Sequence, residues 1–349
     1  MIDIFGDASQ SGTDEYAGLL PTRLPTEVLQ TLSRIDQRQF IGRTVLEWLL
    51  YAAPVWFCET HWNLVIYAIT LFWIGGRMHA FGVLMHEAAH YRALRNRRLN
   101  DWIGEICLAW PLTVTLHGYR SNHFAHHREL NSERDPDWVR ARSPKYEFPK
   151  SKRLLYLEFT KYLFALNSPG EIAHFMKDKL MNEMPPGVKA GRLATFALLI
   201  CSSIYFGFWK LLLLYWAIPL VTTFFLFMYI RSIAEHFGGM EYDHLLTGSR
   251  TVLPMWWEKW FFCPHHINYH IEHHLYPSVP CHNLPALHMI LMRDRVFNGK
   301  AHITNGYLTG VVSECQWNRS HDLEGPTPGG SAGTRSRAAT LTSLRDRDV

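Results

Sequence analysis

Four apolar runs set the terms on which this chain can fold: Val45 to Cys58, Leu64 to Ile74, Leu193 to Trp209 and Leu211 to Ile230. They fall in two pairs, one joined by the polar Glu59, His61 and Asn63, the other around Lys210. Such runs read as transmembrane hairpins, because a backbone in lipid must satisfy its own hydrogen bonds. The first run is short and holds Glu47 and Pro54, so it spans only if its helix begins earlier or the bilayer thins locally. The 13 Trp, 15 Tyr and 20 Phe suit a chain that meets a lipid interface.

Basic residues give the hairpins an orientation. Arg92, Arg95, Arg97 and Arg98 follow the first pair, and Lys145, Lys150, Lys152, Arg153, Lys177, Lys179 and Lys189 precede the second. By the positive-inside rule both segments are cytoplasmic. The net charge of +4 is modest and its basic clusters lack aromatic interleaving, which argues against a nucleic-acid surface. The expected fold is all-α and integral to the membrane, with about four transmembrane helices in two hairpins and both termini cytoplasmic. Asp101 to Leu116, interrupted by Pro111, is expected to be re-entrant or interfacial. Arg77 is expected to snorkel to the headgroups near a helix end.

Three domains of composition follow. Residues 1–42 are polar, with an amphipathic stretch from Pro25 to Gln39; residues 43–312 hold the membrane unit; residues 313–349 end in the Gly, Pro, Ser, Thr and Arg composition of a disordered tail. The first twenty residues have no Lys or Arg and do not resemble a cleavable signal. Six scattered cysteines suggest neither a disulfide framework nor a thiolate zinc site.

The chemistry lies in the histidines. His270, His273 and His274 sit at i, i+3 and i+4 in Asn-Tyr-His-Ile-Glu-His-His-Leu-Tyr-Pro, and His123, His126 and His127 repeat that spacing. On helices each trio projects from one side, as do His86 and His90 in His-Glu-Ala-Ala-His. Eight imidazoles in three groups exceed any packing need, and neutral imidazole is the commonest nitrogen ligand for a transition metal. From Arg77 to His86 is about 13 Å of helix, which lifts this pair above the membrane. The groups are expected to form a His-rich helical cap on the cytoplasmic side.

Three chemistries compete for such a cap. His86-Glu87-x-x-His90 fits the zinc-protease pattern with Glu87 as base, but leaves two complete groups unexplained. Metal or proton transport would place polar groups at the bilayer midplane, whereas these gather at one end. Oxidative catalysis at two non-haem irons uses all of them, and breaking an unactivated C–H bond is beyond any side-chain acid, base or nucleophile.

The ordered set His-x-x-x-His, His-x-x-His-His and His-x-x-His-His, with an apolar hairpin between the second and third, resembles the membrane fatty acid desaturase and hydroxylase superfamily over residues 45–290. The resemblance implies a four-helix membrane protein whose histidines ligate two irons and use O2. It assigns as ligands His86, His90, His123, His126, His127, His270, His273 and His274, together with His236 after the fourth span. Ser232 stands where some relatives carry an asparagine that adds a water-mediated contact, and the resemblance places it with Asp135 and Asp137 behind the ligand histidines. Asp135 and Asp137 follow the second box, as acidic residues often do in relatives, and either orient ligand histidines or form a surface Asp-Pro turn. Glu87, Glu235 and Glu272 adjoin ligands but are expected to stay off the metal. His79, His265 and His266 are expected to be pathway, outer-layer or surface residues.

The implied reaction is desaturation of a fatty acyl lipid, with hydroxylation of a fatty acyl, sphingoid or carotenoid lipid as the alternative. The chain shows no dinucleotide-binding glycine fingerprint and no CxxCH, so a cytochrome b5-like protein or a ferredoxin with its reductase would bring the electrons. The basic residues between 140 and 192 are the expected docking surface for that acidic donor.

Overall fold

The computed structural model describes residues 23–140, 143–177, 184–242 and 244–316. Of the tail expected over residues 313–349, all from residue 317 on lies outside them. The amphipathic stretch divides between two helices: α1 spans Thr26–Leu32, and after a break α2 runs Gln37–Thr60. Asp36 caps α2 by accepting a hydrogen bond from the Gln39 amide, which starts the helix eight residues before the apolar run. That earlier start gives α2 its 24 residues, about 36 Å.

Helix α3, Leu64–Ala89, is the axis of the molecule, with Asn63 capping the Ile66 amide. Its first half presents Leu64, Val65 and Ile69 to the outside, while everything from Ile74 to Ala89 is buried. An exposed apolar half followed by a buried half that carries Arg77, His79, His86 and Glu87 is what a helix does when it leaves lipid and enters protein. His86 lies about 33 Å from the start of α3, past the roughly 30 Å of a hydrocarbon core.

Arg77 corrects an expectation. Gly75 and Gly76 do not end the helix, so Arg77 sits mid-helix, about 20 Å from Leu64, with no path to the headgroups. It is 1% exposed and forms an ion pair with Glu47 of α2 at 2.9 Å, and it also donates to the Trp260 carbonyl. A buried charge at this depth persists because its partner is supplied by the neighbouring helix.

After α4, Arg97–Ile103, the chain continues through a π-helical turn, Gly104–Ala109, and a 3-10 turn, Trp110–Leu112, before left-handed Thr113 reverses it. This is the interrupted helix expected from Pro111. It returns the chain to α5, Leu116–Glu129, capped by Thr115, which carries the second histidine group. The second apolar pair forms α6, Pro186–Tyr205, and α7, Trp209–His236. Helices α3, α6 and α7 are long and apolar enough to cross a membrane. Two π-helical turns interrupt α7 around Pro219, where the missing N–H loosens the hydrogen-bond ladder.

Helices α3 and α7 meet closely. A side chain on Gly75 would lie within 2.8 Å of the Thr223 carbonyl carbon, and the Thr223 hydroxyl donates to the Leu71 carbonyl at 2.9 Å. Tyr51 of α2 and Tyr67 of α3 reach the α7 carbonyls of Tyr215 and Leu214. Beyond α7, a two-stranded parallel ribbon, β1 (Thr251–Leu253) and β2 (Ile303–Asn305), bonds the segment before α8, His270–Leu275, through the Asn268 carbonyl and side chain. The third histidine group is thereby fixed against the ends of α3, α5 and α7.

Candidate metal centre

The nine histidines singled out in the sequence converge into two groups. His86, His90, His123, His127 and His273 form one; His126, His236, His270 and His274 form the other, with the potential ligand atoms of each group within 4.8 Å of one another. The partition cuts across the motifs. On a helix, residue i+4 lies about 40° from residue i, while i+3 lies about 60° to the other side. His123 and His127 therefore join one group while His126 turns to the other, and His270 and His274 join the second while His273 turns to the first. Each trio straddles both groups, while His86 and His90 stay together in the first, so the trios do not act from a single face.

Within the first group the Nε2 atoms form a chain: His86 to His273 at 3.0 Å, His273 to His127 at 3.0 Å, His127 to His123 at 3.0 Å and His123 to His90 at 2.8 Å. In the second, His270 Nε2 lies 2.7 Å from that of His236 and 3.0 Å from that of His274. A ring nitrogen offers either one hydrogen or one lone pair in its plane, so a nitrogen in two such contacts satisfies one of them at most. Hydrogen bonding thus explains no more than half of these contacts, whereas a cation between the nitrogens explains all of them. Nitrogens bound about 2.1 Å from a metal and 90° apart stand about 3.0 Å from each other, against about 3.4 Å for tetrahedral ligands. The spacings fit near-90° ligation by five histidines at one site and four at the other, and they fit tetrahedral zinc poorly.

Electrostatics favour neutral ligands. Burial holds His90, His123, His127, His270, His273 and His274 well below the usual histidine range, and the neighbouring imidazoles push them further down. His126 moves the other way. Burial alone would lower it, but the hydrogen bond to Asp135 and the charge of Asp137 outweigh that and raise it.

Asp135 is 1% exposed and contacts His126 Nδ1 through both oxygens, at 2.9 and 3.1 Å. Backbone amides of Asp137 and Asn131 each occupy one of those oxygens at 2.9 Å. The Asp-Pro turn thus sets the Asp135 carboxylate against His126. Asp137 is more remote, 3.7 Å from His126, and Ser232 lies on the wall of the cavity described below. Glu87 accepts from the Cys281 amide at 2.9 Å, Glu235 pairs with Arg231 at 2.7 Å and Glu272 joins His288 and Thr251, each at 2.5 Å. None of the three enters either histidine group. His79 bonds the Phe261 carbonyl, and His265 sits 3.0 Å from Glu47; neither belongs to a group, nor does His266. Both His265 and His266 hold the left-handed backbone conformation, which bends the chain ahead of α8.

A cavity of about 350 Å³ opens beside both groups, touching His123 of the first and His126, His236 and His270 of the second. Apolar walls from Leu112, Val114, Leu220, Phe224, Phe225 and Met228 make most of its surface. Its polar lining, including Tyr119, Asn122 and Arg231, escaped sequence reading because these residues lie on two helices, α5 and α7, far apart in the chain and with no motif spacing between them.

Membrane-length helices ending in two convergent histidine groups beside an apolar cavity define a histidine-rich membrane metalloprotein. The sequence profile of the fatty acid desaturase family matches residues 60–305, and the chain belongs to that family. It is 26% identical over 62% of its length to the sn-1 acyl-lipid omega-3 desaturase (ferredoxin) of Synechocystis, of which it spans 62%. It is 28% identical to the sn-1 oleoyl-lipid 12-desaturase of Arthrospira platensis, covering 68% of this chain and 70% of that one. It is also 24% identical to the zeaxanthin 4-ketolase of Chlamydomonas reinhardtii, over 69% of this chain and 50% of that protein.

Proposed function

We propose that this chain is a membrane di-iron desaturase acting on a lipid alkyl chain. The observation that carries the reading is the shared wall: members of both histidine groups face one largely apolar cavity. Two irons held by the nine histidines would supply, with O2 and two external electrons, an oxidant strong enough for an unactivated C–H bond. The protein's part is placement. Phe224, Phe225 and Met228 line a slot that excludes water and lays an alkyl chain beside His126 and His236, where a displacement of about 1 Å would cost ~100-fold in rate. Asp135 holds His126 with Nδ1 engaged and Nε2 turned inward.

The proposed topology has four spans, with α2 joining α3, α6 and α7. Its Glu47 is neutralised by Arg77, which removes the main objection to burying α2 in lipid. Both termini and the metal centre then face the cytoplasm, beside the basic segments around Arg97 and Lys152. The segments 1–42 and 313–349 flank a catalytic unit of residues 43–312. A ferredoxin or cytochrome b5-like protein would bring electrons to that face; the Synechocystis relative's name specifies ferredoxin. Insertion of oxygen is the second reading, favoured by the ketolase among the relatives.

The test is mass spectrometry of lipids from cells expressing the chain or its His273→Ala variant in air. A species lighter by two hydrogens, present only with the intact chain, is the expected result. A species heavier by one oxygen would replace desaturation with hydroxylation, and identical lipids despite bound iron and a working electron donor would count against both.

A further inference from the structure

The cavity changes character along one face of α7. Leu220, Val221, Phe224, Phe225 and Met228 are followed, at the same helical spacing, by Arg231, Ser232 and Glu235. From Met228 to Arg231 is about 4.5 Å of helix and from Arg231 to His236 about 7.5 Å, so the polarity switches at the level of the histidine groups. Tyr119, Asn122 and Asp137 face the same end, with the Tyr119 hydroxyl against the Arg231 guanidinium.

An alkyl slot has no need of this arrangement. The Arg231 and Glu235 side chains are 9% and 12% exposed, and one hydrogen bond, Nε to Oε1 at 2.7 Å, joins them. A methylene chain pressed against them would strip water from their remaining donors and acceptors without replacing it. The lining also selects among polar groups. A carboxylate or phosphate would meet Glu235 and Asp137, and an ammonium would meet Arg231. A neutral group that both donates and accepts finds a guanidinium, a carboxylate, a hydroxyl and an amide around it.

We propose that Arg231, Ser232 and Glu235, with Tyr119 and Asn122, form a receptor for a hydroxyl or amide group that the lipid carries within a few bonds of the carbon attacked. This rests on the desaturase reading and narrows it: the reaction occurs near the polar end of the substrate, with the alkyl tail running along Leu220 to Met228. Arg231 and Glu235 are positioning residues for the substrate, not members of the metal centre.

The test uses the full-length, iron-loaded protein in lipid nanodiscs and compares equilibrium binding of octadecanol, octadecanamide, octadecanoate and octadecane. The alcohol and amide should bind at least ~10-fold more tightly than the acid and the hydrocarbon, since each satisfies groups the others leave unpaired. The double variant Arg231→Met/Glu235→Leu removes both charges together, which proteins tolerate better than losing one. In it the four affinities should converge to within about threefold, and Ser232→Ala should narrow the gap in part. Equal binding of octadecane or octadecanoate by the unaltered protein would overturn the proposal, as would an alcohol preference that survives in a folded double variant. Iron-dependent turnover is read in the same samples in air, with a reduced ferredoxin or cytochrome b5 supplied as electron donor. Its absence for every probe would strike at the desaturase reading, while the binding comparison would still decide the receptor.

Discussion

Replacing Asp135 with Asn tests how the second histidine group is held. The change preserves shape, yet the carboxylate cannot be imitated. Oδ1 accepts from the Asp137 amide and Oδ2 from the Asn131 amide, while both approach His126 Nδ1. Whichever oxygen becomes NH2 points a donor at a backbone donor, and the side chain is only 2% exposed, so no water relieves it. One buried unsatisfied group costs about 1–3 kcal/mol, roughly 5- to 150-fold in an equilibrium constant. This matches the usual 10–100-fold loss of metal affinity when a ligand histidine loses its carboxylate. The assay is iron retention by the purified protein against a graded chelator. Asp135→Asn should release iron at least ~10-fold more readily. Asp137→Asn should change retention less than about threefold, because that side chain is 44% exposed and 3.7 Å from the ring. Unchanged retention in Asp135→Asn, or equal loss in both variants, would refute the reasoning.

Arg77→Met should leave Glu47 as an uncompensated buried charge and destabilise the protein by about 3–5 kcal/mol, a drop of roughly 6–10 °C in melting temperature in detergent. Removing Glu47 as well, as Glu47→Leu/Arg77→Met, should recover most of that loss; a double variant as unstable as the single would show that the pair is not the cause. Gly75→Ala should force α3 away from Thr223 at a cost of about 1–3 kcal/mol, whereas Gly42→Ala, with open space around it on α2, should be neutral or stabilising by up to ~1 kcal/mol. Equal melting temperatures for the two glycine variants would contradict the packing described between α3 and α7.

The histidines were legible because ligation imposes spacing within a helix: all nine come from local patterns or from the resemblance those patterns carry. Their division between two groups was not, because it depends on how α5 and α8 are rotated against each other. The i+3 member of each trio goes to the opposite group from its i and i+4 partners, and only the assembled fold shows it. Arg77 was misplaced for a related reason. The apolar run stops at Ile74, yet the helix continues past it with Gly75 packed close, and the neutralising Glu47 lies thirty residues away with no motif to link them. The lining of the cavity was likewise invisible. Tyr119, Asn122, Arg231 and Ser232 become neighbours only when the re-entrant segment folds α5 against α7.

The central claim is that these nine histidines hold two metal ions, five at one site and four at the other. Elemental analysis of the purified protein, beside its His236→Ala and His90→Ala variants, tests it most directly. The account predicts about two irons per chain, with each variant losing metal from its own group first, since the two sites share no ligand. A single zinc per chain, unaffected by His236→Ala, would contradict it.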